Sequence, residues 1–151
     1  LLAERIGADP RGSQAEMLTT PLIFLARHTI ELNLKDAAIT ACRLYDDLVM
    51  PARPGHALSV YARIVDEALR RLDAADSGHK EFTRLIAEFD AMDPGGTAFR
   101  YQTSTRGAPS VRSHRTIDPI AFYDAAKSVI HYLSGAIDYL YDLEGAQPDF
   151  E

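Results

Sequence analysis

Four residues able to bind an anion or move a proton stand in one short stretch. Arg27, His28, Glu31 and Lys35 fall within ARHTIELNLK. On a helix they are neighbours, because Arg27 and Glu31 are four apart, Glu31 and Lys35 are four apart, and His28 precedes Glu31 by three. Arg27 also takes a slot in an apolar stripe formed by Ile23, Ile30, Leu34, Ala37, Ala41, Leu44 and Leu48. A cation in such a slot needs a partner, either in the protein or in a ligand. Two readings are open. One is a solvated row of ion pairs, each adding a few tenths of a kcal/mol. The other is a partly buried polar cleft in which Arg27, His28 and Lys35 offer donors to a phosphate or carboxylate. Glu31 would then offset part of the charge and orient His28 or Arg27. His56 follows Gly55 at the start of the next helical pattern. It either bonds to nearby backbone or turns back towards the long helix and joins the cleft.

A second basic group lies at 97–116, where Arg100, Arg106, Arg112, His114 and Arg115 occur without an acid. Phe99-Arg100-Tyr101 suits stacking and phosphate contact with single-stranded nucleic acid, and Arg100 is a candidate to border the same cleft. Alternating Phe, Tyr and Thr is also the pattern of a half-buried strand. His131 and Lys127, four apart on the last helix, read as boundary residues. No His, Cys, Asp and Glu grouping has zinc spacing, so no metal is expected. There is no glycine-rich phosphate loop and no Gly-x-Ser-x-Gly, so no cofactor is expected either. Cys42 has no neighbour that marks a nucleophile.

The elements that must position these residues are helical. Pro21 to Leu48 is the longest pattern, with Thr20 as its cap and Pro21 in the first turn. Ser13 and Glu16 have capping-box spacing, so a helix from Ser13 that runs into the Pro21 junction, kinked there or broken, is also open. His56 to Ala74 is the second helix, with Leu58, Tyr61, Val65, Ala68, Leu69 and Leu72 as its apolar face. His79 to about Met92 is the third, closed by Asp93-Pro94-Gly95-Gly96. Residues 97–116 read as a short hairpin or extended loop. Asp118 then caps a helix to Leu143, with Pro119 in its first turn and Ile120, Tyr123, Lys127, Ile130, Leu133, Ile137 and Leu140 in a 3/4 repeat. The expectation is a single all-α domain over 1–151, with 1–19 as lead-in and 144–151 as tail. It is a four-helix up-down bundle whose two long helices pack antiparallel.

Composition limits the partners. The 151 residues carry a formal net charge of -6, which disfavours tight non-specific DNA binding but permits a local basic patch. The single cysteine cannot form an internal disulfide, which fits a reducing compartment, and a cytoplasmic location is expected. No apolar run reaches the ~18 residues of a membrane span, so no membrane contact is expected. The chain begins with Leu, so a preceding segment is left open.

Ala26, His28, Glu31, Leu34 and Lys35, followed by Gly55-His56-Ala57-Leu58, resemble the HEPN family of bacterial and archaeal helical domains. There, an A-x-H-x-x-E-x-x-L-K helix precedes a Gly/Thr-His-x-Leu that opens the next helix. The Asp93-Pro94 turn followed by Phe99-Arg100-Tyr101 is similar to uncharacterised bacterial members. The resemblance implies an up-down helical bundle and a homodimer. It also implies one of three activities: a ribonuclease, a toxin partnered by an antitoxin, or an inactive binding domain. The ribonucleases carry an Arg, four to six residues, then a His. Here the nearest pairs, Arg71 with His79 and Arg106 with His114, are more widely spaced. The reading is therefore a non-catalytic module that binds RNA, a nucleotide or a protein partner in a bacterial defence or toxin–antitoxin setting. The alternatives are a metal-independent ribonuclease built from Arg27, His28 and His56, and a structural helical domain of a larger protein.

Overall fold

A computed structural model describes residues 13–53, 55–72, 77–93, 96 and 117–146. All regular structure among them is helical: α1 Ser13–Leu44, α2 Leu58–Arg71, α3 Ser77–Met92 and α4 Pro119–Gly145. The all-α, four-helix expectation holds. The stretch at 97–116, Arg100 within it, and the residues before 13 and after 146 lie outside the described residues.

α1 begins at Ser13, so the continuous alternative is the one adopted and Thr20 is an interior residue rather than a cap. Pro21 sits inside the helix, where it removes one intrahelical hydrogen bond. The helix closes at Leu44, earlier than Leu48. Leu48 N–H instead donates to the Tyr45 carbonyl in a turn. α2 starts two residues after His56. Its N-cap, Ala57, offers no side-chain acceptor, and the carboxylate of Asp90 on α3 accepts from the Leu58 and Ser59 amides at 2.9 and 3.3 Å. α4 starts as expected. Asp118 Oδ1 accepts from the Ile120 and Ala121 amides, and Pro119 occupies the first turn.

Each helix packs on the next in sequence, and α4 returns to lie along α1 in the most extensive contact of the molecule. The two long helices do pack together, but in the same sense. Arg43 near the end of α1 pairs with Glu144 near the end of α4, and Tyr141 O–H donates to Asp36. α2 also runs with α1: His56 sits against Glu31, Lys35 lies over the Tyr61 ring, and Arg71 pairs with Asp47. α3 alone runs the other way, with Asp90 at the start of α2, His79 against Asp66, and Phe89 edge-on to Phe122. The up-down order expected from the sequence therefore fails at the first connection. Residues 45–57 are long enough to retrace the ~20 Å between Leu44 and the level of Glu31 along α1. A short turn would have forced α2 to run antiparallel.

The core is contributed by all four helices. Ile30, Leu34, Ala37 and Ala41 of α1 are fully buried, as are Leu58 and Val65 of α2 and Leu133 and Leu140 of α4. On α4 the buried stripe is Phe122, Ala126, Val129, Leu133, Ala136 and Leu140. Of the 3/4 repeat read from the sequence, Leu133 and Leu140 belong to this stripe, Ile130 and Ile137 are half-buried against the core, and Ile120, Tyr123 and Lys127 are exposed. Small Ala126 and Ala136, facing a core to which α1 contributes three alanines, permit a close interaxial distance.

Candidate functional site

Arg27 is carried into the bundle by the core stripe of α1 and is 5% exposed, with Glu31 one turn on at 3%. Its guanidinium is held from three directions. Nη1 donates to Glu31 Oε2 at 3.2 Å. Nη2 donates to the His56 carbonyl at 2.7 Å and to the Asp93 carbonyl at 2.9 Å. The carboxylates of Asp90 and Asp93 stand 3.9 Å away, and Nε is buried without a hydrogen bond, facing Asp93. One side chain thus joins α1, the entry to α2 and the exit of α3.

Glu31 is the second centre. Its Oε1 accepts from Lys35 Nζ at 2.7 Å and meets His56 Nδ1 at 2.9 Å. A carboxylate only accepts, so Nδ1 of His56 carries the proton in this contact. Burial works to raise the Glu31 pKa. The hydrogen bonds and charges of Lys35 and His56 outweigh it, and the carboxyl titrates below its ordinary value. Lys35 is three-quarters buried, whereas the His56 ring is nearly half exposed at the mouth of the cluster.

Gly96 closes the arrangement. Its N–H donates to the Asp93 carbonyl, and its φ of 65° is in the left-handed region. A Cβ there would lie 2.5 Å from His56 Cβ and 3.0 Å from Arg27 Nη1. The position therefore needs glycine both for its backbone and for the space it leaves to Arg27.

Of the residues singled out from sequence, the structure brings Arg27, Glu31, Lys35 and His56 into one cluster. His28 is not among them. Its ring stacks on Phe24 at 5.8 Å, on the neighbouring face of α1. Arg100 lies outside the described residues. Asp90, Asp93 and Gly96 are members that sequence reading missed. Asp93 and Gly96 read simply as a helix stop, and nothing in their local pattern indicates a partner 66 residues away.

A second buried polar junction was also missed. His79 is 6% exposed and has Nδ1 at 3.0 Å from the Tyr132 hydroxyl. Its Nε2 contacts Asp66, which also pairs with Arg70 at 3.1 Å. The junction ties α2, α3 and α4 as Arg27 ties α1, α2 and α3. The i, i+4 spacing of Asp66 and Arg70 was its only visible trace. His131 and Lys127 are both exposed. Among the described residues no group of acids, histidines and cysteines could hold a metal ion, and no helix is long and apolar enough to cross a membrane.

The chemistry of the cluster follows from its charges. Two cations, Arg27 and Lys35, face three carboxylates, Glu31, Asp90 and Asp93, before His56 is counted. The acids already supply what a phosphate would. Comparison of the chain with protein-family models, with curated proteins and with solved structures finds no match.

Proposed function

We propose that this chain is a non-catalytic helical interaction module, HEPN-like in architecture, that works by contact with protein rather than by cutting RNA or capturing a phosphate. The observation that carries the reading is the state of Arg27. Its guanidinium is buried and bonded to Glu31 and to the carbonyls of His56 and Asp93, with two further carboxylates beside it. A guanidinium so engaged has both of its terminal nitrogens bonded within the fold, and withdrawing them for a ligand would strand buried carboxylates. Among the described residues around Arg27, the residual candidates for acid–base work are His56, tied to Glu31, and His28, which stacks on Phe24 instead of meeting Arg27. That arrangement lacks the paired cation and free base that metal-independent phosphodiester cleavage requires. The HEPN resemblance adds the expectation of a homodimer, a bacterial defence or toxin–antitoxin setting and a cytoplasmic location.

Native mass spectrometry of the protein purified from cells tests the reading. The expected species contains protein chains alone, either copies of this chain or this chain with another. Stoichiometric RNA or nucleotide in the complex would overturn it in favour of the nucleic-acid reading, with His56 and Lys35 at the cluster mouth as the first residues to substitute.

A further inference from the structure

We infer that α3 is a releasable helix: it opens from the other three as one unit, and a polar latch at each end holds it shut. The inference goes beyond the interaction-module reading and does not depend on it. α3 buries an apolar face of Phe82, Leu85, Ile86 and Phe89. It packs on α2 and α4, and each of those contacts is less extensive than that of α1 with α4 or of α1 with α2. A cleft runs along each flank. On the α4 side its volume is about 360 Å³, between Leu85, Phe89 and Met92 of α3 and Ala121 and Ala125 of α4. On the α2 side it is about 130 Å³, between Phe82 and Ile86 of α3 and Ala62 of α2. Side chains along a cleft lack the dispersion contacts that a packed neighbour supplies. On the outer face Arg84 pairs within α3, with Glu81 and Glu88, and those pairs survive undocking.

Among the described residues, the polar ties from α3 to the rest of the bundle gather at its two ends. At the start, His79 meets the Tyr132 hydroxyl and the Asp66 carboxylate. At the end, the Asp93 carbonyl accepts from Arg27, and the Asp90 carboxylate accepts from the Leu58 and Ser59 amides. His79 and Asp90 are eleven residues apart, about 16 Å along a helix. Between them the docking is apolar and flanked by the two clefts. Once the ends let go, little holds the middle in place. The far latch also serves other elements. Releasing Asp90 uncaps α2, and releasing Asp93 takes an acceptor from the buried Arg27 guanidinium. Opening of α3 is therefore coupled to the entry of α2 and to the Arg27 cluster.

Native-state hydrogen exchange in stepped, sub-denaturing urea reads the opening. The amides from Phe82 to Phe89 should exchange together with one shared urea dependence, about 100-fold faster than those of Ile30 to Ala41 in α1 and Val129 to Leu140 in α4. The Leu58 and Ser59 amides should join the α3 group. His79→Leu should speed that group about 10-fold, and Ala125→Leu, which fills part of the larger cleft, should slow it. Leu140→Val separates local opening from global unfolding. Leu140 lies two turns beyond Tyr132, beside Tyr141, which bonds Asp36 of α1. A contact kept in the open form changes global unfolding and leaves the opening alone. Exchange in α1 and α4 should therefore rise about three- to tenfold while the α3 group stays as in wild type. The proposal is overturned if α3 exchanges at the rate of α1, or frays from its ends without a shared urea dependence. It is also overturned if Leu140→Val speeds all four helices alike, or if His79→Leu leaves the α3 group unchanged.

Discussion

Replacing Arg27 by Met separates a structural cation from a binding one, because Met keeps the apolar stem and removes the charge. With Arg27 gone, Glu31, Asp90 and Asp93 lose their guanidinium partner beside a core and two carbonyls lose their donor. The expected loss is about 3–5 kcal/mol in urea denaturation. A variant as stable as wild type would show that these groups are solvated without Arg27. Glu31 gives the cluster a pH signature. Its carboxyl is stabilised in the folded state, so its folded pKa lies below its unfolded one. The contribution is complete above the unfolded value near 4.5 and is lost as pH falls through the lower, folded value. Glu31→Gln should flatten the acid limb of the stability curve below that point, measured by thermal unfolding at stepped pH. An unchanged acid limb would mean that Glu31 is not the group titrating there.

At the scale of the elements, two ends depend on residues far away in sequence. α2 has no capping side chain of its own, and Asp90 of α3 supplies the acceptor for two of its first amides. Asp90→Ala should destabilise the protein by about 1–2 kcal/mol, as loss of a helix cap does, and should raise amide exchange at Leu58 and Ser59 before the rest of α2. Uniform protection along α2 would contradict this. The end of α3 depends on Gly96. Gly96→Ala combines a left-handed backbone with a Cβ driven into His56 and Arg27, and should cost about 1–3 kcal/mol. Its loss and that of Arg27→Met should not add in the double variant, because both act on the same guanidinium.

At the scale of the molecule, α1, α2 and α4 share one direction and α3 opposes them. Arg43 and Glu144 therefore lie together, 3.4 Å apart at their charged ends. In an alternating bundle they would sit at opposite ends of a helix ~40 Å long. Cysteines at 43 and 144 on a Cys42→Ser background should be joined within one chain by a short bis-maleimide. Failure of that crosslink, with cysteines at 36 and 144 failing as well, would reverse the assigned sense of α4.

The sequence by itself determined that the regular structure of the described residues is helical, and that it forms four helices. The 3.6-residue apolar period is a local property, and so are the Asp118 cap and the apolar face of α2, each of which reappears in place. Arg27 in an apolar slot was legible for the same reason, as was its reach to Glu31 one turn away. Tertiary structure decided what lies across from each element. A helix period carries no sign, so it could not say that α2 and α4 run with α1. Tertiary structure also decided that the first turns of α4 bury Phe122 and Ala126 in place of the Ile120, Tyr123 and Lys127 read from the sequence. The other half of the Arg27 cluster, from Asp90 to Gly96, arrives from 66 residues away, a distance over which local spacing holds no information. Whether a line of charges is a solvated row or a buried hub depends on that arrival, since burial is a property of the neighbours and not of the line.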